Sequence, residues 1–173
     1  MDKYQEFGHL YDRFIDQIYR FIFLKVQSSQ IAEDLTSEVF LKIWTKYLDK
    51  GKPIKHPSSL LYRTARNVLT DYYRKHPKKL ISLEDYPREI SDSFQKIETE
   101  IIQEETLKVV FNSLTRLKEE EQDVIIWYYI ENLSIAEISQ ILNKKENTVR
   151  VMIHRAIQKL REIIEKENND KKM

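Results

Sequence analysis

Gly8 and Gly51 are the only glycines in a chain of 173 residues, and four prolines complete its stock of strong breakers. So few turn-formers cannot serve the many tight turns of a β-sandwich, and long helices are the expected elements. The apolar spacing agrees. Phe7, Leu10, Phe14, Ile18, Phe21 and Ile22 recur three and four apart, which predicts an amphipathic helix. Ser28 and Ser29 interrupt it. A second helix carries Leu35, Val39 and Ile43 on one face and Asp34, Ser37, Glu38 and Leu41 on a largely polar neighbouring face. Residues 49–57 hold Gly51, Pro53 and Pro57 and are expected to form a loop. A third helix is predicted from about Ser58, with Leu61, Ala65, Val68 and Tyr72 inward and Arg63, Arg66, Asn67, Thr70 and Arg74 on the opposite stripe; Pro77 ends it.

From there to about Glu104 the chain is polar and without sustained period, which predicts a linker. A flexible segment of roughly 30 residues has a root-mean-square span of roughly 30 Å, enough to let two domains reach separate sites. Helical pattern resumes at Leu107, Val110, Phe111, Leu114 and Leu117 and continues through Val124, Ile125 and Tyr128. The expected fold class is therefore all-α: two small helical domains, over residues 1–76 and 106–166, joined by a linker at 77–105 and followed by a charged tail at 167–173.

A net charge of +1 hides strong segregation. Between Lys52 and Lys79 eight basic residues face one acid, and between Asn143 and Arg161 six face one, whereas eight acids face two basic residues from Glu84 to Glu105. Two basic zones around an acidic stretch suit two contacts with a polyanion; solvated helix faces are the plainer alternative. The absence of cysteine excludes disulfides and thiolate zinc sites and suits a reducing cytoplasm. No apolar run approaches the ~18 residues of a membrane span, and the first residues lack the basic and apolar blocks of a signal peptide. His9, His56, His76 and His154 are scattered, and neither a Gly-rich phosphate loop nor a nucleophile motif is present. A binding protein with no metal or cofactor is expected rather than an enzyme.

The most informative segment runs from Asn132 to Arg161. Ser134 and Glu137 fit a capping box. A short helix follows with Ile138, Ile141 and Leu142 inward, and it stops at Asn143, a residue that tolerates the left-handed conformation. A second helix places Val149, Ile153, Ala156 and Leu160 inward. Two short helices joined by a tight turn make a helix-turn-helix, although a plain αα-hairpin with a basic surface has the same pattern. Thr148, Arg150, Val151, His154 and Arg155 lie near the start of the second helix, where this motif enters the major groove. Arg150 or Arg155 could grip a guanine in bidentate fashion, worth about 1–3 kcal/mol of discrimination. Lys144, Lys145 and Lys159 are better placed for phosphates.

Three blocks in order carry a family resemblance. Residues 32–44, AEDLTSEVFLKIW, resemble region 2.2 of a sigma factor, and residues 61–74, LYRTARNVLTDYYR, resemble region 2.4. NLSIAEI at 132–138, NTVR at 147–150, HRA at 154–156 and LR at 160–161 resemble region 4.2. Their order and separation resemble those of the extracytoplasmic-function group of the sigma-70 family, and the resemblance covers essentially residues 5–165. The resemblance implies that Asp34, Ser37, Glu38 and Leu41 meet the β′ clamp helices of core RNA polymerase. It implies that Lys52, Lys55, His56, Arg63, Arg66, Asn67, Thr70 and Arg74 bind the −10 promoter element in single-stranded form, with a flipped base in the loop at 50–57. Unstacking a base costs a few kcal/mol, which basic and aromatic surface offsets. Tyr62, Tyr72 and Tyr73 are candidates to stack or to pack in the core, and Trp44 is expected in the core. Lys144, Lys145, Thr148, Arg150, Val151, His154, Arg155 and Lys159 would bind the double-stranded −35 element, and the helices before them the β flap. An anti-sigma partner and a monomeric, cytoplasmic protein are the further implications. A self-sufficient helix-turn-helix regulator is the alternative, and a helical interaction protein without a DNA role a third.

The chain also departs from the family pattern. Leu60 stands where tryptophan is usual, Ser37 where glutamine is usual and Ser139 where alanine is usual. Asn132 and Asn143 replace glycines, a change their tolerance of positive φ allows. Lys144 replaces an apolar residue, and Lys145 occupies the N-cap position expected to hold serine, removing a cap worth about 1 kcal/mol.

Overall fold

A computed structural model describes residues 2–77 and 104–173; of the linker expected at 77–105, residues 78–103 lie outside the described residues. Every regular element among the described residues is helical. The chain divides into two compact units.

In the first unit, helix α1 (Lys3–Val26) starts on a capping box. The Asp2 carboxylate accepts the amides of Tyr4 at 2.8 Å and Gln5 at 2.9 Å, and the Gln5 side chain accepts the Asp2 amide at 3.3 Å. The break expected at the serine pair is made by one left-handed residue, Gln27 (φ 53°), whose amide closes on the Phe23 carbonyl at 2.8 Å. Ser28 then caps α2 (Ser29–Ile43), its hydroxyl accepting the Ile31 amide at 3.4 Å. Helix α2 widens into a π-helical turn at Trp44–Leu48. Helix α3 (Pro57–Lys75) opens with proline in its first turn, where the missing N–H would have had no partner.

The three helices pack on one another. Phe14, Ile18, Phe21 and Ile22 of α1, Leu35, Val39 and Ile43 of α2, and Leu61, Ala65 and Val68 of α3 are buried as the periodicity predicts, and Phe40 and Leu69 join them. Each such side chain, taken wholly from water, contributes about 1.5–3 kcal/mol before ordering costs. Phe7, Leu10 and Tyr72, expected inside, are half-buried.

The second unit comprises α4 (Glu104–Thr115), α5 (Glu119–Ile125) with a π-helical turn at Ile126–Ile130, α6 (Ile135–Leu142) and α7 (Glu146–Lys171). Helix α7 packs against both α4 and α5, and Trp127, Val124, Ile138, Val149 and Ala156 are fully buried. Asn132 adopts φ 55°, which turns the chain so that the Leu133 amide meets the Trp127 carbonyl at 2.8 Å.

Helix α4 begins at Glu104, two residues inside the expected linker, and the charged tail expected at 167–173 is helical as far as Lys171, because α7 continues through it. The reason is a tertiary anchor: Glu167 pairs with Arg116 at 2.7 Å and accepts the Ser113 hydroxyl at 3.2 Å. Ser113 is fully buried, so Glu167→Ala strands its hydroxyl. The expected loss of stability is about 1–2 kcal/mol, read as a lower denaturant midpoint.

Candidate nucleic-acid interface

The helix-turn-helix is built by local chemistry. The Ser134 hydroxyl accepts the Glu137 amide at 3.1 Å, and the Glu137 carboxylate accepts the Ser134 amide at 2.8 Å, which starts α6. Asn143 ends it with φ 52° and ψ 47°. Ser139 ties the turn twice: its hydroxyl donates to the Lys144 carbonyl, and its own carbonyl accepts the Lys144 amide. The serine that stands in place of the family's alanine thus reinforces the turn. Lys145 sits at the N-cap with extended backbone and no side-chain cap, as its chemistry requires, and α7 begins at Glu146.

That start fixes which side chains of α7 face outward. Val149 and Ile153 turn into the unit, while Thr148, Arg150, Val151, His154 and Arg155 are exposed, together with Lys144 and Lys145 in the turn. Val151 keeps 46% of its surface exposed, as an apolar side chain reading a thymine methyl would need. The Arg150 guanidinium is held at the helix start by Asn147 Oδ1 at 2.9 Å and Glu146 Oε2 at 3.5 Å. Lys159 is exposed as well, and its ammonium also pairs with Glu121 of α5 at 2.8 Å, which braces the two helices.

Burial of the Glu121 carboxyl opposes its ionisation, but the Lys159 ammonium and the Lys118 amide donate to it and together hold its pKa below the usual glutamate value. A carboxyl lowered in the folded state stabilises above its unfolded pKa and loses that contribution as pH falls through the folded value. Lys159→Ala is therefore expected to cost about 0.5–1 kcal/mol at neutral pH, the lysine itself being half exposed and the pair screened by solvent. The difference from the unaltered chain should shrink in urea unfolding once pH drops below the ordinary glutamate range.

On the first unit, Asp34, Ser37, Glu38 and Leu41 are all exposed and, at spacings of three and four, share one stripe of α2. Leu41 is 61% exposed, and Glu38 pairs with Lys42 at 3.3 Å. The loop at 49–56 exposes Lys52, Lys55 and His56, and turns at Gly51 with φ +65°. Along α3, Arg63, Asn67, Thr70 and Arg74 are exposed and Arg66 is half-buried. The Thr70 hydroxyl donates to the Arg66 carbonyl at 2.9 Å, so its free lone pairs can only accept. Arg74 pairs with Asp71 at 3.0 Å.

The aromatic candidates separate. Tyr62 is fully buried edge-on to Phe21, with centroids 5.4 Å apart, and cannot stack on a base. The Tyr73 hydroxyl donates to the Lys25 carbonyl at 2.9 Å, which ties α3 to the end of α1. Tyr72 stacks on His76 at 4.6 Å. Trp44 is half-buried rather than core, against Tyr4 at 5.2 Å and Phe7 at 5.3 Å.

Four residues gain roles that sequence reasoning missed. Glu146 and Asn147 orient Arg150, Glu121 holds Lys159, and Lys3 reaches Asp49 at 2.9 Å. Glu146 and Arg150 stand four apart on a helix, a spacing that signals the pair. The other two link residues 38 and 46 positions apart, and no local pattern announces them. Among the described residues no group of three or more His, Cys, Asp or Glu is placed to hold a metal, and no helix is long and apolar enough to cross a membrane.

Comparison with known proteins gives these surfaces a family. The profile of sigma-70 region 2 matches residues 10–78, and that of sigma-70 region 4 matches residues 109–160. The ECF RNA polymerase sigma factor SigM of Bacillus subtilis is 26% identical over 162 residues, covering 93% of this chain and 96% of SigM. The ECF sigma factor BldN of Streptomyces coelicolor is 24% identical over 161 residues; this chain is covered to 91% but spans only 60% of BldN. The fold matches that of the Bartonella quintana sigma factor RpoE, solved with the anti-sigma factor NepR, at a TM-score of 0.63 and 20% identity, over 93% of this chain and 98% of RpoE. The chain belongs to the sigma-70 family of RNA polymerase sigma factors. Within it, the relatives place the chain in the extracytoplasmic-function group.

Proposed function

We propose that this chain binds core RNA polymerase and directs it to promoters through two separate DNA contacts. The stripe Asp34, Ser37, Glu38 and Leu41 meets the β′ clamp helices, its acids facing basic residues of the partner, and the second unit also meets the β flap. Lys52, Lys55 and His56 of the loop, with Arg63, Arg66, Asn67, Thr70 and Arg74 of α3, receive the unpaired −10 strand. Helix α7 enters the major groove of the −35 element. Arg150, Val151, His154 and Arg155 face the bases, Thr148 stands beside them, and Lys144, Lys145 and Lys159 face phosphates. The −35 contact fixes the complex on duplex DNA, and capture of an unpaired base stabilises the bubble. On this reading the domains are residues 1–76 and 106–166, the latter extended by the rest of α7, and the chain catalyses no reaction of its own.

The observation that carries the proposal is the start of α7: an exposed Arg150-Val151 pair and Arg155 over a buried Val149 and Ile153, set off by a left-handed Asn143. Run-off transcription with purified core polymerase on a genomic fragment library tests it. Specific transcripts that require the chain support it. Transcription no better than with core alone overturns it, and tight specific DNA binding by the free chain favours a self-sufficient regulator. Phosphate contacts further predict that promoter binding weakens steeply with salt.

We also propose control by an anti-sigma factor in the cytoplasm. Support comes from the RpoE relative of known structure, which is bound by one, and from the exposed faces on both units that such a protein would cover.

A further inference from the structure

We propose that Lys3 is a positioning residue for promoter opening: from the first turn of α1 it holds the root of the 49–56 loop that receives the unpaired −10 strand. The inference rests on the −10 role proposed for that loop.

The loop leaves the π-helical turn at Asp49, and its first bonds are to backbone. The Asp49 amide bonds the Trp44 carbonyl at 2.9 Å, the Gly51 amide bonds Leu48 at 3.0 Å and the Lys52 amide bonds Tyr47 at 2.8 Å. One side-chain bond between distant elements joins them: Lys3 Nζ donates to Asp49 Oδ1 at 2.9 Å, across 46 residues of sequence. Both partners are exposed, and an isolated pair of that kind contributes little. Lys3 is not isolated. Its ammonium lies 5.7 Å from the ring centres of both Tyr4 and Trp44, within cation–π range, and those rings pack on each other at 5.2 Å. Phe7 closes edge-on against Trp44 at 5.3 Å. The Asp2 capping box fixes the turn from which Lys3 projects. The aromatic shelf thus reduces the rotamer freedom that usually cancels a surface ion pair.

The tether acts on the loop in two ways. It fixes where Lys52, Lys55 and His56 start from, and it neutralises Asp49. Asp49 is the only acid between residues 49 and 57, and its bare carboxylate would repel an incoming phosphate. The hydrogen bond to Asp49, then the charge of that carboxylate, push the Lys3 pKa up, so the ammonium stays charged throughout the neutral range.

The test uses the full chain with core polymerase. Permanganate reactivity of −10 thymines reports opening, and a binding titration reports affinity for core. Lys3→Ala is expected to lower the open fraction about 3- to 10-fold, the combined scale of one ion pair and its ring contacts, with affinity for core unchanged. Lys3→Arg should keep most of the opening, and the charge swap of Lys3→Asp with Asp49→Lys should recover part of the loss. Opening by Lys3→Ala equal to that of the unaltered chain overturns the positioning role alone. So does a loss of opening matched by an equal loss of core affinity. Failure of the unaltered chain to open any promoter overturns the −10 role of the loop, and this role with it.

Discussion

Arg150→Ala combined with Arg155→Ala should abolish −35-dependent initiation while leaving assembly with core polymerase intact. Both side chains are exposed on α7, so truncation removes no core contact and the unit should keep its unfolding midpoint within about 0.5 kcal/mol. The loss falls on recognition. A bidentate arginine–guanine contact is worth about 1–3 kcal/mol, so each guanine read costs roughly 10- to 100-fold in promoter binding. Arg150 carries the sharper expectation, because Asn147 and Glu146 already hold its guanidinium at the helix start and less freedom is lost on binding. Run-off transcription on promoters mutated base by base across the −35 element checks the assignment. Loss confined to particular base changes marks base reading. A uniform loss across all sequences, with a shallower salt dependence, would make these arginines phosphate contacts instead.

The parts of the structure legible in the sequence are those decided within one turn of chain. Ser134 with Glu137 and the left-handed Asn143 are local chemistry, and they bracket α6 where the spacing predicts. The apolar stripes of α1, α2 and α3 were readable because burial of one face imposes the helical period. What escaped depends on partners distant in sequence. The last turns of α7, ENNDK, have no apolar period and read as a tail; Glu167 orders them by meeting Arg116 and Ser113. Lys159 was legible as a basic residue of its own helix face, but its pairing with Glu121 of α5 was not. Whether Tyr62 stacks or packs could not be read from the chain around it, Leu61 on one side and Arg63 on the other; its packing edge-on to Phe21 of α1 decides for the core. The two π-helical turns, Trp44–Leu48 and Ile126–Ile130, shift the register by one residue and defeat any fixed-period reading. Lys3 reaches Asp49 across 46 residues of chain, so the loop's tether left no trace in the sequence.

Glu38→Arg combined with Leu41→Asp should remove the chain from core polymerase altogether, and with it every downstream activity. Leu41 projects with 61% of its surface exposed, an apolar side chain that α2 has no internal use for, and Asp34 and Glu38 flank it on the same stripe. An apolar anchor ringed by charge is the arrangement in which a few residues dominate an interface. Reversing the acid faces like charge to the partner's basic residues, and placing a carboxylate at the anchor buries an unpaired charge on docking. Each change costs about 2–5 kcal/mol in comparable interfaces, so the pair should weaken binding by at least about a thousandfold. Folding should survive, because the neighbouring core residues Leu35, Val39 and Ile43 are untouched; the Glu38–Lys42 pair that is lost is exposed and worth a few tenths of a kcal/mol. Sedimentation or fluorescence titration against core polymerase, with circular dichroism as the control, reads the result. Wild-type affinity in a folded double variant would move the polymerase contact off this stripe and onto another face of the first unit.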